Sequence, residues 1–283
     1  MKIIRKQIQL KTSRETIPLV LLGDIHLGHI NVEHEYLTSV LRYIQTRKTH
    51  WIGMGDYLDS ITITDRRFNW DSIDLNLHTP ADQLEHAIKL FTPIKDQCIT
   101  LLTGNHEYTL WQGHNSIDYT NAICQRLNIP YGTYDAIILL DLKKDKSSHT
   151  KIIKLYIHHG WTGARTLGGI SSRLDDMVNT FPMLDIYAMA HTHHLGELPL
   201  QQKLEITRIN NKDEITHHNL HRILTGGFLR GYVDKTMSYI EQKTYPPTGL
   251  GAILLEIQPF RHNGAKKQSY LKITVKTLPN DLP

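Results

Sequence analysis

Five short clusters of metal-binding side chains recur within the first 195 residues of the sequence. Each cluster follows a run of apolar residues and contains histidine, aspartate or asparagine. In order they are Asp24-Ile25-His26, Gly55-Asp56-Tyr57-Leu58-Asp59, Gly104-Asn105-His106-Glu107, His158-His159-Gly160 and His191-Thr192-His193. Imidazole and carboxylate ligands without a thiolate suit Mn, Fe or Zn better than Ca. The sequence therefore predicts a transition-metal site built from segments that are far apart in the chain.

The spacing within the clusters suggests how the side chains meet. Asp24 and His26 are two residues apart, as are His191 and His193, so each pair is expected to face one side of an extended segment. Asp56 has two carboxylate oxygens and could bridge two cations. Two ions about 3.5–4 Å apart can hold the attacking and leaving oxygens of an in-line displacement. One such cluster is weak evidence, but the ordered set of five, each after an apolar run, is far more specific.

The elements that must position these clusters are strands and helices in alternation. Buried strands are predicted at 17–24, 50–56, 98–106, 154–160 and 184–193. Helices are predicted at 33–48, 80–93, 116–127 and 171–180. Ligands of α/β sheets gather at the carboxyl ends of the strands. We therefore expect the five strand ends to converge on one crevice.

The rest of the chain is interpreted as part of the same unit. Strand-like segments between 196 and 283 are expected to complete the second sheet, which makes 1–283 a single domain with its motifs in 17–195. The stretch 57–79 is long and irregular. Structureless insertions of that length in compact domains are often functional lids.

The order of the motifs resembles that of the calcineurin-like metallophosphoesterases. The shared pattern is D-x-H, G-D-x-x-D, G-N-H-E, H-G and H-x-H, and it covers 17–195. Ala190 departs from the pattern, because the family commonly has glycine before its last histidine pair. The resemblance implies a four-layer α/β/β/α sandwich of two mixed sheets with a binuclear metal site.

The resemblance also implies a role for each motif residue. One metal would be held by Asp24, His26, Asp56 and His193, and the other by Asp56, Asn105, His159 and His191. The ions are expected to be Mn, with Fe or Zn as alternatives, and a bridging water becomes the nucleophile. His106 would stabilise the phosphoryl group or protonate the leaving oxygen, with Glu107 orienting or charging its imidazole. Asp59 would support the ligands through hydrogen bonds.

His158 and His159 compete for one ligand position. Ile153, Leu155 and Ile157 alternate along one face of the predicted strand, and His159 continues that face. A strand buried on both faces weakens this argument. The family's ligand directly precedes the glycine, which also favours His159, so His158 is predicted to lie behind the ligands or on the surface.

Three arginines are candidates for substrate binding. Arg165 and Arg173 follow His159 in a glycine-containing segment, and Arg230 follows Gly226 and Gly227. Each could neutralise a phosphate. A flexible loop with a solvated helix start explains Arg165 and Arg173 about as well, and for Arg230 a purely structural turn is slightly favoured. Arg66 and Arg67 precede Phe68 and Trp70, a mixture that is found in nucleic-acid grooves and also in many ordinary surface loops.

Composition limits the class of protein. The chain has 283 residues, a net charge of +4 and two cysteines, Cys98 and Cys124, which are expected to be buried and unpaired. No apolar run is long enough to cross a bilayer. The first residues lack the pattern of a secretory signal. A cytoplasmic enzyme without a membrane partner is the expectation, and the oligomeric state stays undetermined.

Three functions are consistent with these observations. The favoured one is a phosphodiesterase that acts on nucleic acid or a nucleotide, such as a nuclease. The alternative is a phosphomonoesterase that acts on a phosphoprotein or a small phosphorylated metabolite. The third is a catalytically dead binding scaffold, which the complete set of ligand positions disfavours.

Overall fold

The protein is an α/β sandwich, seen in a computed structural model that describes residues 1–12, 15–65, 67–112, 117–144, 150–164, 166–209, 211–234, 238–263 and 268–279. The strands of these ranges are β1 Lys2–Leu10, β2 Ile17–Leu22, β3 His50–Gly53, β4 Cys98–Leu102, β5 Tyr131–Thr133, β6 Asp135–Lys144, β7 Thr150–His158, β8 Ile186–Met189, β9 Leu195–Glu197, β10 Gln201–Ile209, β11 Lys212–Thr225, β12 Ala252–Asn263 and β13 Gln268–Leu278. The helices are α1 His34–Arg47, α2 Pro80–Phe91, α3 Asn105–Leu110, α4 Tyr119–Leu127, α5 Leu167–Thr180 and α6 Tyr239–Gln242. Two 3₁₀ segments cover Trp70–Ser72 and Thr92–Gln97.

The strands form two mixed sheets. One sheet has seven strands in the order β1-β6-β7-β8-β11-β10, with β9 also paired to β11. The other has six strands in the order β13-β12-β2-β3-β4-β5. Strands β2, β3, β4 and β5 run parallel to one another, as do β7, β8 and β11. Motif-bearing strands therefore point the same way within each sheet.

Apolar side chains on the inner faces hold the two sheets together. Alternate residues of β7, Ile153, Leu155 and Ile157, are buried in a core shared with β2, β3, β4 and β12 of the other sheet. On the outer face of β7, Tyr156 packs with Ile170 and other buried residues of α5. Helices α1, α2 and α4 cover the outer face of the six-stranded sheet. The predicted four-layer α/β/β/α sandwich of two mixed sheets is confirmed.

Helix boundaries follow from local capping. The Thr79 side chain accepts a hydrogen bond from the Asp82 amide, and Pro80 occupies the first turn of α2. The Thr166 side chain caps α5 in the same way, so this helix begins before the predicted residue 171.

The structure differs most from the sequence analysis after β8. The C-terminal strands do not all complete one sheet, because β9, β10 and β11 join the seven-stranded sheet while β12 and β13 join the other.

Two further predictions concern composition. Cys98 and Cys124 are free thiols in the buried layer under the helices, as their isolated positions indicated. No helix within the described ranges is long and apolar enough to cross a membrane.

Candidate metal centre

The five motifs follow the carboxyl ends of five strands. Asp24, Asp56 and Asn105 come shortly after the parallel strands β2, β3 and β4 of one sheet. His159 and His191 come after the parallel strands β7 and β8 of the other sheet. Because both sheets turn these ends toward the same edge of the sandwich, the seven predicted ligands lie together.

A first group of donors consists of Asp24, His26 and His193, whose ligand atoms all lie within 4.8 Å of one another. The Nε2 atoms of His26 and His193 are 3.3 Å apart. Nε2 of His193 is 3.7 Å from Oδ1 of Asp24. Asp24 and His26 are almost fully buried, so these polar atoms face one another without bulk water.

A second group consists of Asp56, His159 and His191, again within 4.8 Å. Asn105 adds its side-chain oxygen, which lies 3.0 Å from Nε2 of His159 and 2.6 Å from Nδ1 of His191. The structure therefore places His159, and not its neighbour His158, among the donors.

Asp56 connects the two groups through one oxygen. Its Oδ2 lies 3.8 Å from Nε2 of His26 and 3.4 Å from Nε2 of His159. Its Oδ1 accepts a hydrogen bond from the His106 amide at 2.9 Å, which fixes the carboxylate. One oxygen that faces both sets of donors can bridge two cations, whereas the sequence analysis expected both carboxylate oxygens to do so; Oδ1 is instead taken by the His106 amide.

The donor set fits a pair of transition-metal ions. Ligand atoms bonded to such an ion at about 2.1 Å are about 3.0–3.4 Å apart at ordinary coordination angles. The 3.3 Å separation of the Nε2 atoms of His26 and His193 lies in that range. Oδ1 of Asp24 is buried without a hydrogen-bond partner among the described residues. An unpaired buried carboxylate oxygen is costly unless a cation compensates it.

Neighbouring groups determine which nitrogen of each imidazole is left for a metal. Nδ1 of His159 lies 2.8 Å from the Met54 carbonyl, and Nε2 of His191 lies 3.2 Å from the Thr162 carbonyl. Nδ1 of His26 lies 3.4 Å from Oδ1 of Asp59. Carbonyl and carboxylate partners of this kind orient metal-binding histidines. Asp59 thus lies where a supporting residue is expected.

The backbone turns sharply at the donors. Asp24, His26, Asp56, His191 and His193 all have positive φ, between 49° and 66°. Such left-handed conformations cost about 1–3 kcal/mol each in non-glycine residues and cluster at functional sites.

The expectation that each two-residue pair faces one side of an extended segment is wrong for the last motif. Because the chain turns there, His191 joins the second group and His193 the first.

Sandwich and site together define the architecture: two mixed sheets carry two groups of metal-competent donors at one edge. No protein-family model and no curated protein matches this sequence.

Solved structures give distant matches to this chain. Zinc-complexed Vps29 from Entamoeba histolytica is 12% identical with a TM-score of 0.34, and the match covers 92% of this chain and 99% of that one. A double mutant of Vps29 from the same organism is 10% identical with a TM-score of 0.39, over 92% of this chain and 100% of that one. A conserved uncharacterized protein from Streptococcus pneumoniae, titled a predicted phosphoesterase, is 9% identical with a TM-score of 0.35, over 93% and 90% of the two chains.

Glu107 does not contact the His106 imidazole, so the predicted orienting role is wrong in its geometry. Its buried carboxylate accepts hydrogen bonds from four backbone amides, those of Asp56, Tyr57, Leu58 and Gly104. Glu107 therefore holds the loop that carries Asp56 against the start of α3. Sequence reasoning could not find this role, because three of the four amides lie about 50 residues away in the chain.

His106 stands at the edge of both donor groups. Its ligand atoms lie within 4.8 Å of those of His26 and Asp56. Its Nδ1 is 2.5 Å from the Asp59 carbonyl, and its Nε2 is 3.0 Å from Nη1 of Arg67. Burial lowers the pKa of His106, against the opposing effect of Asp56. The ring is thus neutral near pH 7, with its proton on Nδ1 and its Nε2 facing the arginine.

The crowded donors shift one another's protonation. Burial, opposed by His159, raises the pKa of Asp24 to about 7. Burial would lower the pKa of His159, but the Asp56 carboxylate raises it to about 9. Burial and His159 lower the pKa of His191 to about 4, and burial and His26 hold that of His193 well below its ordinary value. Without a metal, protons on some donors must therefore balance the buried carboxylates.

The remaining predicted residues lie apart from the donors. His158 accepts a hydrogen bond from the Gly160 amide and its ring lies 4.4 Å from that of Trp161. Arg173 is exposed on α5 and pairs with Asp176, and Arg230 pairs with Glu33. Neither arginine pair involves a predicted metal ligand. Arg165, together with Arg66, lies outside the described residues.

Aromatic residues next to the motifs were missed by the sequence analysis. Tyr108 and Trp161 directly follow the third and fourth motifs, which is the signal that could have revealed them. Tyr108 lies 5.8 Å from Trp111 and 5.9 Å from Tyr134, measured between ring centroids. Tyr134 in turn lies 5.6 Å from the ring of His159. We call Tyr108, Trp111, Tyr134 and Trp161 the aromatic strip.

Proposed function

We propose that the protein is a two-metal-dependent phosphoester hydrolase that favours phosphodiesters of nucleic acid or nucleotides. The observation that carries the proposal is the position of Asp56, whose Oδ2 faces His26 of one donor group and His159 of the other. Such a carboxylate supports a binuclear centre in which both ions lie next to one substrate.

Each group of residues has a part in the proposed reaction. Asp24, His26 and His193 would hold one ion, His159, His191 and Asn105 the other, and Asp56 both. The bound ions would lower the pKa of a water molecule and neutralise phosphoryl oxygens. Asp59, Met54 and Thr162 keep the imidazoles oriented through their oxygens. His106 faces the same space with Nε2, from which a proton could pass to the leaving oxygen once the ring is protonated.

The aromatic strip supports nucleic acid as the substrate. Tyr108, Trp111 and Trp161 are 37%, 40% and 42% exposed, and Tyr134 joins the strip to a metal ligand. Large aromatic faces that remain open beside a phosphoester site are suited to base stacking, which contributes about 1–3 kcal/mol per base and tolerates any sequence. The net charge of +4 is compatible with a polyanion.

A substrate panel on the Mn-loaded protein tests the proposal. We expect turnover of bis-p-nitrophenyl phosphate and of single-stranded oligonucleotides, and less turnover of p-nitrophenyl phosphate. Trp161→Ala should weaken oligonucleotide cleavage more than cleavage of the small diester, because only the oligonucleotide has bases to stack. Fast monoester hydrolysis without diester turnover would favour the phosphomonoesterase instead.

Metal analysis completes the test. We propose Mn as the working ion, with Fe and Zn compared in parallel, and expect two ions per chain in the active form. A chain that binds no stoichiometric transition metal and hydrolyses no ester would be a binding scaffold, and the proposal would be rejected.

A further inference from the structure

The insertion at 57–79 brings one cation to the metal centre. Nη1 of Arg67 lies 3.0 Å from Nε2 of His106, which is itself grouped with the donors His26 and Asp56. The Asp59 and Asp56 carboxylates interact electrostatically with Arg67. Both raise the pKa of its guanidinium, after the larger effect of Asp65. Among the described residues, Arg67 is the arginine that contacts the predicted catalytic histidine.

Asp65 fixes the orientation of this guanidinium. Its Oδ1 accepts from Nε of Arg67 at 3.1 Å and its Oδ2 accepts from Nη2 at 2.7 Å, a bidentate pair. The Arg67 amide donates to the same Oδ1 at 2.8 Å. These hydrogen bonds lower the pKa of Asp65 to about 2, so the carboxylate stays ionised. A planar guanidinium held along one edge keeps a fixed direction for its other donors.

The contact with His106 sets the direction of the Arg67 N–H groups that Asp65 does not bind. A guanidinium has five N–H groups and no acceptor. Asp65 and His106 take one N–H from each of the three nitrogens, which leaves a second N–H on Nη1 and on Nη2 without another acceptor in the described ranges. The side chain of Arg67 is 36% exposed, so a ligand can reach these donors.

We propose that Arg67 binds a non-bridging phosphoryl oxygen of the substrate and that Asp65 is its positioning residue. The inference rests on the proposed phosphoester chemistry and gives the insertion a function. A phosphoryl group bound at the two donor groups would share its negative charge over all its non-bridging oxygens, including any that the ions do not contact. The guanidinium beside His106 faces those oxygens, and charge-assisted bonds from arginine to phosphate are strong and directional.

The test measures binding of inorganic phosphate to the Mn-loaded protein by calorimetry, independently of turnover. Arg67→Ala should weaken phosphate binding about 10- to 100-fold, the range for hydrogen bonds to a charged group. Arg67→Lys should recover part of the loss, because the charge returns without the fork. The matched control is Arg126→Ala, which removes an exposed arginine paired with Glu85 on the helical layer and should leave phosphate affinity unchanged.

Asp65→Asn tests the positioning role. It should weaken phosphate binding less than Arg67→Ala does, and it should have no further effect in the Arg67→Ala background. Additive losses would overturn the role of Asp65. Both ions should remain bound in every variant, since neither residue belongs to the donor groups.

The outcomes separate this inference from the proposed function. If Arg67→Ala holds two ions and binds phosphate as tightly as the wild type, the inference is overturned while hydrolysis can persist. Failure of the loaded wild type to bind phosphate also overturns it. If phosphate binding depends on Arg67 but no ester is hydrolysed, the inference stands and the proposed function fails.

Discussion

At the scale of single residues, environment decides between a ligand, a catalyst and a support. Asp56 and Glu107 are both buried carboxylates, and both are within reach of the donor groups. Asp56 directs one oxygen to imidazoles on two sides, whereas Glu107 uses its oxygens for four backbone amides. His106 keeps its ring at the open edge beside Arg67. These differences separate residues that the resemblance grouped together.

Glu107 and His106 should therefore respond differently to removal. In Glu107→Ala four amides lose their acceptor, and unmet buried donors cost about 1–3 kcal/mol each. The free energy of unfolding, measured by chemical denaturation, should fall by more than about 3 kcal/mol. His106→Ala should keep its stability and both ions but lose turnover by about 10²- to 10⁴-fold. A Glu107→Ala variant that is as stable as the wild type would contradict the supporting role.

At the scale of elements, the site depends on how the chain leaves each strand. Five of the seven donors lie in tight turns with positive φ, and adjacent glycines let the turns approach one another. Gly104 immediately precedes Asn105 at the end of the short loop that follows strand β4. A Cβ atom at Gly104 would lie 2.0 Å from Oδ1 and 2.2 Å from the amide nitrogen of Asp56. Since backbone atoms cannot move aside easily, this glycine is required by close packing.

Gly104→Ala should displace Asp56 and weaken binding of both ions together. We expect a folded protein by circular dichroism with less than stoichiometric metal by elemental analysis. Gly168→Ala is the matched control, because nothing lies within 4 Å of a Cβ at that position of α5. Alanine in a helix is favoured over glycine by about 0.5–1 kcal/mol, so the control should be no less stable than the wild type. Normal metal content in Gly104→Ala would show that the turn can adapt.

At the scale of the whole molecule, the candidate metal centre joins the two sheets at one edge of the sandwich. Asp24, Asp56 and Asn105 come from the six-stranded sheet, and His159, His191 and His193 come from the seven-stranded sheet. Donors from both sheets can meet only in the folded state. Ions at this edge should therefore stabilise the packing of one sheet on the other.

Removing the ions should lower the thermal stability of the molecule. Each ion that binds only the folded chain contributes about 2.7 kcal/mol when its free concentration is 100 times its dissociation constant. The melting temperature should fall after chelation and recover when Mn is added back. Asp56→Asn should abolish most of this recovery, because one oxygen faces both donor groups. Equal melting temperatures with and without metal would contradict a centre that joins the sheets.

The sequence determined which side chains could bind metal and the fold that carries them. Apolar runs ending in Asp, Asn or His placed the donors at strand ends, because burial of those runs fixes the strands and leaves polar residues where they stop. The four-layer sandwich was implied by the family resemblance that these motifs carry. The tertiary structure decided what local pattern cannot encode. Left-handed turns place His191 and His193 in different donor groups. The Glu107 carboxylate accepts hydrogen bonds from the amides of a distant loop, and Arg67 contacts His106. The tertiary structure also divided the C-terminal strands between both sheets. Each of these depends on contacts between segments far apart in the chain, and such contacts form only when the two sheets pack.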